Sequence, residues 1–304
     1  YRITPSLSAT FTLNTNFATA EVDEQQVALD RFSLFYPEKR EFFLQDAGIF
    51  EFGNIDTNGR PFFSRRIGLS DDGEAVGVDG GAKLTGRMGD FNVGALAIRQ
   101  EAYGDITAKD LFVARGSYNV LEESAIGFIM THGDPTSNES NAVVGLDFLY
   151  RNSDGPFGEI LTGKFWAQQS QSSDLDGDDQ AFGANLEIPS DKLSVYLDLQ
   201  SIGENFRPAL GFVNREGIRR IGTGMRYRTR PDAGIWRAIN HRIDYFLTTD
   251  MDGNTLSERT TIEPVGLYSN RDDYLYLQLS RQREVVLEDF ELFDRLNVPV
   301  GDYE

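Results

Sequence analysis

The chain has 304 residues, a length typical of one large β-structure. Cysteine is absent and histidine occurs only as His132 and His241, which excludes disulfides and thiolate metal sites and disfavours a histidine-based metal cluster or catalytic triad. The formal net charge of -19 disfavours nucleic acid as a partner, because phosphates require a basic surface. No run of about 18 apolar residues is present, so the sequence predicts no transmembrane helix.

The first unusual segment is Phe35–Leu44, which reads FYPEKREFFL and places its charges between two aromatic pairs. It is too charged for a core strand and too aromatic for an ordinary loop. Pro37 also disfavours helix at the residue before it. Such a segment needs surroundings that are both charged and apolar.

Downstream, apolar and polar residues alternate with a period of two, which indicates β-strands with two different faces. The alternation is clearest in Ala82–Met88, Asn141–Arg151, Leu161–Gln168 and Ile221–Arg230. The polar face at the last of these carries four arginines: Arg220, Arg226, Arg228 and Arg230. Helical periodicity is weak throughout, so the sequence predicts an all-β chain.

Short and long connections alternate between these strands. The tight turn Met88–Asp90 precedes the longer loop Glu101–Ala108, and the short turn Leu121–Ser124 precedes the longer loop Gly133–Ser140. This rhythm is typical of transmembrane β-barrels, in which lipid-facing and lumen-facing residues also alternate. In lipid, only a closed barrel satisfies the backbone hydrogen bonds of strands. The sequence therefore predicts an antiparallel meander that forms all or part of an outer-membrane β-barrel.

A soluble antiparallel sandwich or propeller would alternate as well and is the rival fold. No repeat with a propeller-like period is present, and the loop rhythm and the arginine-rich face favour the barrel. We expect residues 1–304 to form a single domain that is incomplete at its C-terminus, with further strands after Glu304. The chain also lacks an initiator methionine and a signal peptide, as expected for a piece of a larger protein.

Leu13–Gly53 and Pro61–Leu69 carry the motifs YPEKREFFLQ and SRRIG. Together with Gly203–Arg220, they resemble a family of bacterial outer-membrane β-barrel domains, the domain of unknown function 5916 family. The family motif has proline and glutamate where this chain has Glu41 and Gln45. Family members commonly follow a domain similar to family-9 carbohydrate-binding modules, and some are labelled hydrolases.

The resemblance implies the outer membrane of a Gram-negative bacterium as the location and outer-membrane lipid as a partner. It also implies an N-terminal carbohydrate-binding-like domain in the full-length protein. That module lies outside this chain, so its sugar-binding role is assigned to no residue here.

In such a barrel, residues 35–69 fit best in the lumen or at its mouth, and we expect Gln45–Pro61 to fold inward as a partial plug. Glu38 and its charged neighbours would pair with Arg65, Arg66 and the arginine-rich face. The residues expected to line the lumen or to contact a solute are Glu38, Lys39, Arg40, Arg65, Arg66, Trp166, Arg220, Arg226 and Arg228, with Trp166 stacking on sugar rings. The alternative, which we favour over a catalytic site, is an ion-paired architectural corner without a ligand.

Catalytic signatures are weak. Glycoside hydrolysis needs two carboxylates at a defined separation, and Glu38 and Asp46 are the least implausible candidates. The sequence has no nucleophile elbow, no phosphate-binding loop and no HExxH motif. The sequence therefore favours a protein without enzymatic activity. If the protein is an enzyme, we expect a glycan hydrolase.

Two acidic loops, DLDGDD and DMDGN, place alternate carboxylates around a glycine, as Ca²⁺ sites do. The candidate ligands are Asp174, Asp176, Asp178, Asp250 and Asp252. Neither loop has EF-hand spacing, and solvated acidic hairpin tips are the favoured interpretation. No other cofactor is expected.

The sequence is compatible with three functions. The first is a non-enzymatic outer-membrane barrel that passes or engages a small hydrophilic solute, with an oligosaccharide as a candidate. The second is a membrane anchor for a carbohydrate-binding or hydrolase-like module. The third is a soluble β-sandwich binding domain.

Overall fold

The structure, a computed structural model, describes residues 2–15, 35–70, 73–155, 158–292 and 296–304. Strands dominate every described range that follows residue 77. The strands are β1 (Arg2–Thr4), β2 (Leu7–Thr15), β3 (Val78–Met88), β4 (Phe91–Gln100), β5 (Lys109–Val120), β6 (Ser124–His132), β7 (Asn141–Asn152), β8 (Leu161–Ser172), β9 (Gln180–Ile188), β10 (Leu193–Ile202), β11 (Ile218–Thr229), β12 (Trp236–Asp250), β13 (Thr255–Ser269), β14 (Tyr274–Val286), β15 (Phe290–Leu292), β16 (Leu296–Val298) and β17 (Gly301–Tyr303).

These strands form one large antiparallel sheet of 15 strands, which runs in chain order from β1 to β14 and ends at β17. The remaining two, β15 and β16, pair with each other. The predicted all-β antiparallel meander is confirmed. The connections follow the predicted rhythm as well, because Gly89 and Asp90 alone join β3 to β4, whereas residues 101–108 join β4 to β5. Residues 121–123 then precede β6 and residues 133–140 follow it.

Residues 35–69 contain three short helical turns. Glu41–Leu44 forms a single α-helical turn, α1, and 3₁₀ turns follow at Ala47–Phe50 and Ser64–Arg66. None of the described helices is long and apolar enough to cross a lipid bilayer. The rest of this segment is irregular, so its buried backbone groups need partners outside regular structure.

The chain divides into two compact units. Unit 1 comprises Tyr1–Leu149, Phe165–Phe182 and Ile202–Glu216. Unit 2 comprises Tyr150–Lys164, Gly183–Ser201 and Gly217–Glu304. Residues 35–69 therefore belong to unit 1, and the arginine-rich face belongs to unit 2.

In unit 1 the polar face of the sheet is the buried face. Its buried polar side chains include Lys83, Thr85, Arg115, Thr131 and Asp147. Aliphatic residues such as Leu96 and Val113 share this face. The opposite face exposes large apolar side chains: Phe112, Phe128, Met130, Val144 and Leu146. A soluble two-sided sheet has the reverse arrangement, with its apolar face buried and its polar face in water.

Residues 35–69 cover the polar face of unit 1, and two glycines let the segment approach the sheet backbone. Gly94 and Gly145 lie in one cross-strand row of this face. A Cβ at Gly94 would come within 2.9 Å of Ile49 and 3.0 Å of Phe50, and one at Gly145 would come within 2.8 Å of Phe52. The side chains of the segment thus occupy the space that these glycines leave open.

In unit 2 the predicted alternation over Ile221–Arg230 is confirmed. Met225 and Tyr227 are exposed, whereas the intervening Arg226 is half-buried. On the neighbouring strand β12, Asp244 is buried and lies opposite Gly224 in the register. Polar side chains again take the less exposed face.

Candidate functional site

Glu38 and Arg40 form a buried bidentate ion pair inside the YPEKR motif. Oε1 of Glu38 accepts hydrogen bonds from Arg40 Nε at 2.8 Å and from the backbone N–H groups of Lys39 and Arg40 at 3.0 and 2.9 Å. Oε2 accepts from Arg40 Nη2 at 2.7 Å and from the Ser64 hydroxyl at 2.6 Å. The two side chains are 11% and 7% exposed, so this is a charge-assisted pair largely removed from water.

Arg40 also joins the first motif to the second one. Its Nη1 donates to the carbonyl of Ile67 at 2.5 Å and its Nη2 donates to the carbonyl of Ser64 at 2.7 Å. The guanidinium carbon lies 4.4 Å from the centre of the Phe43 ring. We call Glu38, Arg40, Ser64 and Ile67 the motif clamp, because together they bind YPEKR to SRRIG.

The two arginines of the SRRIG motif bind backbone carbonyls. Arg65 Nη1 donates to the carbonyl of Pro37 and Arg66 Nε donates to that of Gly211, both at 3.1 Å. The sequence predicted that these arginines pair with Glu38. The ion-pair partner of Glu38 is instead Arg40, which donates a hydrogen bond to each of the two carboxylate oxygens of Glu38.

The environment of Glu38 favours its ionised form. Burial raises the pKa of this carboxyl, but the hydrogen bonds and charge of Arg40, with the hydrogen bond from Ser64, outweigh burial and hold the pKa below its ordinary value. A glycosidase general acid needs the opposite shift. Asp46, the other weak catalytic candidate, is exposed and accepts a hydrogen bond from Thr85 at 2.7 Å. This geometry supports an architectural role for Glu38.

A second buried ion pair lies within the sheet and binds the backbone of the segment. Arg115 on β5 and Asp147 on β7 make two parallel hydrogen bonds of 2.8 Å, and their side chains are 4% and 2% exposed. Arg115 Nε donates to the carbonyl of Glu51, and Asp147 Oδ2 accepts from the N–H of Gly53, both at 3.0 Å. We call Glu51, Gly53, Arg115 and Asp147 the sheet clasp, because the ion pair also hydrogen-bonds the backbone of Glu51 and Gly53.

The sheet clasp was not among the predicted contacts. Asp147 does lie within the alternating segment Asn141–Arg151, on the side opposite Val144 and Leu146. A negative charge on the polar side of one predicted strand was therefore the available signal. It did not say which charges meet.

Two more sheet side chains bind the backbone of the segment. Lys83 Nζ on β3 donates to the carbonyls of Phe42 and Gln45, the latter at 2.6 Å. Gln168 Nε2 on β8 donates to the carbonyl of Gly59 at 2.6 Å. With the sheet clasp, these bonds hold residues 42–59 across strands β3 to β8.

A cavity of about 300 Å³ lies among residues of the segment and the sheet. Among the described residues, six phenylalanines line it: Phe35, Phe43, Phe50, Phe52, Phe62 and Phe63. The rings of Phe35 and Phe63 stack with their centroids 4.8 Å apart. Lys83 and Leu96 contribute the sheet side of the lining. The cavity is therefore aromatic, with one buried ammonium group in its wall.

Trp166, the predicted sugar-stacking residue, lies beneath the segment. Its side chain is 9% exposed, and a Cβ at Gly53 would come within 2.9 Å of the indole ring. Gly53 also has a φ of 61°, which favours glycine. Stacking of a sugar on this indole would require residues near Gly53 to move away.

The predicted lumen arginines of unit 2 have partners within that unit. Arg228 Nη1 pairs with Asp191 at 2.8 Å, and its Nε donates to Asn240 Oδ1 at 2.8 Å. Arg226 Nη2 donates to the carbonyl of Ser190 at 3.4 Å. Arg220 lies over the ring of Phe246, with 5.6 Å from its guanidinium carbon to the ring centroid.

In the two acidic loops, several candidate calcium ligands have protein partners. Asp174 pairs with Arg207 at 2.8 Å, and both carboxylate oxygens of Asp250 accept hydrogen bonds from Asn254. Asp178 has a φ of 48°, as expected at a tight turn. Within the described ranges, no group of three or more His, Cys, Asp or Glu residues is placed to hold a metal ion.

Comparisons of the chain with protein-family models, with curated proteins and with solved structures found no match. The structure itself defines the class of protein, which is an all-β antiparallel meander. In its unit 1, the aromatic residues 35–69 cover the buried polar face of the sheet. The family resemblance stays a prediction, and the function has to be inferred from this geometry.

Proposed function

We propose that the chain is all or part of a β-barrel of the outer membrane of a Gram-negative bacterium. In this proposal the apolar face of the sheet contacts lipid and the polar face encloses a wet interior. Residues 35–69 lie in that interior as a partial plug, and the barrel passes or engages a small hydrophilic solute.

The inverted polarity of unit 1 carries the proposal. Phe128, Met130 and Leu146 are exposed side by side on neighbouring strands, whereas Arg115 and Asp147 are buried on the other face. In water, a contiguous exposed apolar surface of this kind favours association. In a bilayer the same surface is buried in hydrocarbon, and the alternation of apolar and polar side chains is the pattern of barrel strands.

The way in which residues 35–69 are fastened supports a plug of fixed position. The motif clamp closes the segment on itself, and the sheet clasp, Lys83 and Gln168 tie it to four strands. If the segment left, the buried polar groups of the sheet that bind its backbone would lose their partners, at about 1–3 kcal/mol for each group, so the segment would not leave readily. A passage beside such a plug would suit only small solutes, among which an oligosaccharide is one candidate.

The same fastening supports the second function, a closed barrel that anchors an N-terminal carbohydrate-binding or hydrolase-like module. The two functions differ in whether ions cross the barrel. The lowered pKa of Glu38 counts against this residue as the general acid of a glycan hydrolase.

Planar-bilayer recordings of the purified chain test the proposal. For a solute-passing barrel we expect discrete conductance steps that grow when the sheet clasp is removed by Arg115→Met with Asp147→Leu. An anchor would insert without conductance in either form. If the chain instead remains monodisperse in detergent-free buffer and does not insert, a soluble β-sandwich binding domain becomes the better description.

A further inference from the structure

The aromatic cavity beside the motif clamp has no role in the proposed function. Its volume of about 300 Å³ lies at the lower end of the range of small-molecule sites. Side chains from Phe35, Phe43 and Phe63 supply an apolar lining that water solvates poorly. An empty cavity of this kind lowers stability, because its lining lacks contacts that a ligand would provide.

Lys83 supplies the charged group on the sheet side of this cavity. Its side chain is 3% exposed, and an ammonium group has three N–H donors. Two of them bind the carbonyls of Phe42 and Gln45. Among the described residues no carboxylate lies within 4.0 Å of this ammonium, although buried charges are normally paired. Asp46 acts on Lys83 only from farther away, and its Oδ2 is bound by Thr85.

The two carboxylates in the cavity lining, Glu38 and Glu51, each have another cation. Glu38 pairs with Arg40 at 2.7 Å, and Glu51 lies 3.6 Å from Arg60. Their charges are therefore largely compensated. Within the part of the chain that the structure describes, Lys83 is the lining charge without an ion-pair partner, which makes the cavity favourable for an anion and unfavourable for an amine.

We propose that this cavity is a binding site for a compact aromatic or branched aliphatic carboxylate. The apolar part of the ligand would pack among the phenylalanine rings. Its carboxylate would accept a hydrogen bond from the third N–H of Lys83. This site does not depend on whether the sheet lies in a membrane.

Calorimetric titration of the purified protein in detergent micelles with two matched probes tests this site. The probes are 3-phenylpropionate and its neutral amide, 3-phenylpropanamide, which have nearly the same shape. We expect saturable binding of both and an affinity for the carboxylate that is at least about ten-fold higher, because the charge-assisted bond is lost with the amide. The substitution Lys83→Met should remove this preference and leave the affinity for the amide within about two-fold. The matched control, Lys109→Met, removes a lysine that does not line the cavity and should leave the preference unchanged.

Equal affinities for the two probes, or no saturable binding of either, would overturn the proposal, as would a preference that persists in Lys83→Met. Because Lys83 also binds the backbone of α1, this variant could fail to fold. The comparison of the two probes on the wild-type protein then decides the question, since it needs no substitution. A conductance result has no bearing on this readout, so the two proposals can fail separately.

Discussion

Arg115 and Asp147 meet across Gly127, the residue of the intervening strand β6 that has no side chain. In the register, Gly127 lies between Ser117 of β5 and Asp147 of β7. A Cβ at Gly127 would overlap the Arg115 guanidinium and come within 2.6 Å of Asp147 Oδ1. The absent side chain thus gives the ion pair the space that it needs to span three strands.

Unit 2 contains a similar arrangement. The Tyr196 hydroxyl on β10 donates to Asp244 Oδ1 on β12 at 3.0 Å, across Gly224 on β11. A Cβ at Gly224 would come within 2.6 Å of the same carboxylate oxygen. In both units, a glycine on the polar face lets side chains of its two neighbouring strands bond over it.

The substitution Gly127→Ala should therefore destabilise the protein by about 3 kcal/mol, because the ion pair must shift or separate to admit a methyl group. The free energy of unfolding, measured by denaturant titration in detergent micelles, checks this. Gly48→Ala is the matched control: its Cβ would meet nothing within 4 Å, and its backbone is not left-handed. Equal unfolding free energies for the two variants would contradict the prediction.

Substituting Arg115 or Asp147 alone should lower the unfolding free energy more than substituting both residues together. Arg115→Met or Asp147→Leu alone leaves a buried unpaired charge and should lower the unfolding free energy by about 3–5 kcal/mol. The double variant leaves no unpaired charge and should be at least as stable as either single one. It should also lose backbone protection at Gly53, whose N–H loses its acceptor. Hydrogen exchange at Gly53 that matches the wild type would count against the clasp.

The fold was predictable because its signals are local in the sequence. Period-two alternation placed Met225 and Tyr227 on one face, and short connections such as Gly89–Asp90 marked tight turns. Both signals need only neighbouring residues, since a side chain's face follows from the parity of its position within one strand.

The site was predicted only in part. The sequence indicated that YPEKR is an ion-paired element, but it placed the ion-pair partners of Glu38 at Arg65, Arg66 and the arginine-rich face instead of at Arg40. The pairing of Arg115 with Asp147 could not be read from the sequence, because it depends on the register of two strand pairs and on a glycine between them. A shift of one residue in either pairing would move these charges to opposite faces.

The substitution Glu38→Gln should destabilise the protein by about 3 kcal/mol at pH 7, because it leaves the buried Arg40 guanidinium without its counter-charge. The unfolding free energy measures this loss. Glu41→Gln is the control, since Glu41 is exposed and lies only three residues away, and it should change stability by less than about 0.5 kcal/mol. A Glu38→Gln protein of wild-type stability that loses a hydrolytic activity would instead revive the catalytic interpretation.

The penalty for Glu38→Gln should also vanish in acid. The pKa of Glu38 in the folded state lies below its ordinary value of 4.5, so its carboxylate stabilises the folded state fully above that value. As the pH falls through the folded-state pKa, Glu38 is protonated and this contribution is lost. Unfolding free energies of wild type and variant should therefore converge below pH 4.5. Parallel curves down to the acid limit would show that the charge of Glu38 is not the source of the stability.

The proposed lipid contact predicts how an arginine on the exposed apolar face behaves. Leu146 is 64% exposed in the middle of β7, so in water Leu146→Arg should change stability by less than about 0.5 kcal/mol. If this face contacts hydrocarbon, the same arginine should destabilise the folded protein in the membrane by about 2–4 kcal/mol. Leu121, which is 74% exposed in the turn before β6, provides the control, because an arginine there stays outside the bilayer. Folding yields into lipid vesicles should fall for Leu146→Arg alone; equal yields for both variants would place this face in water and remove the basis for a membrane barrel.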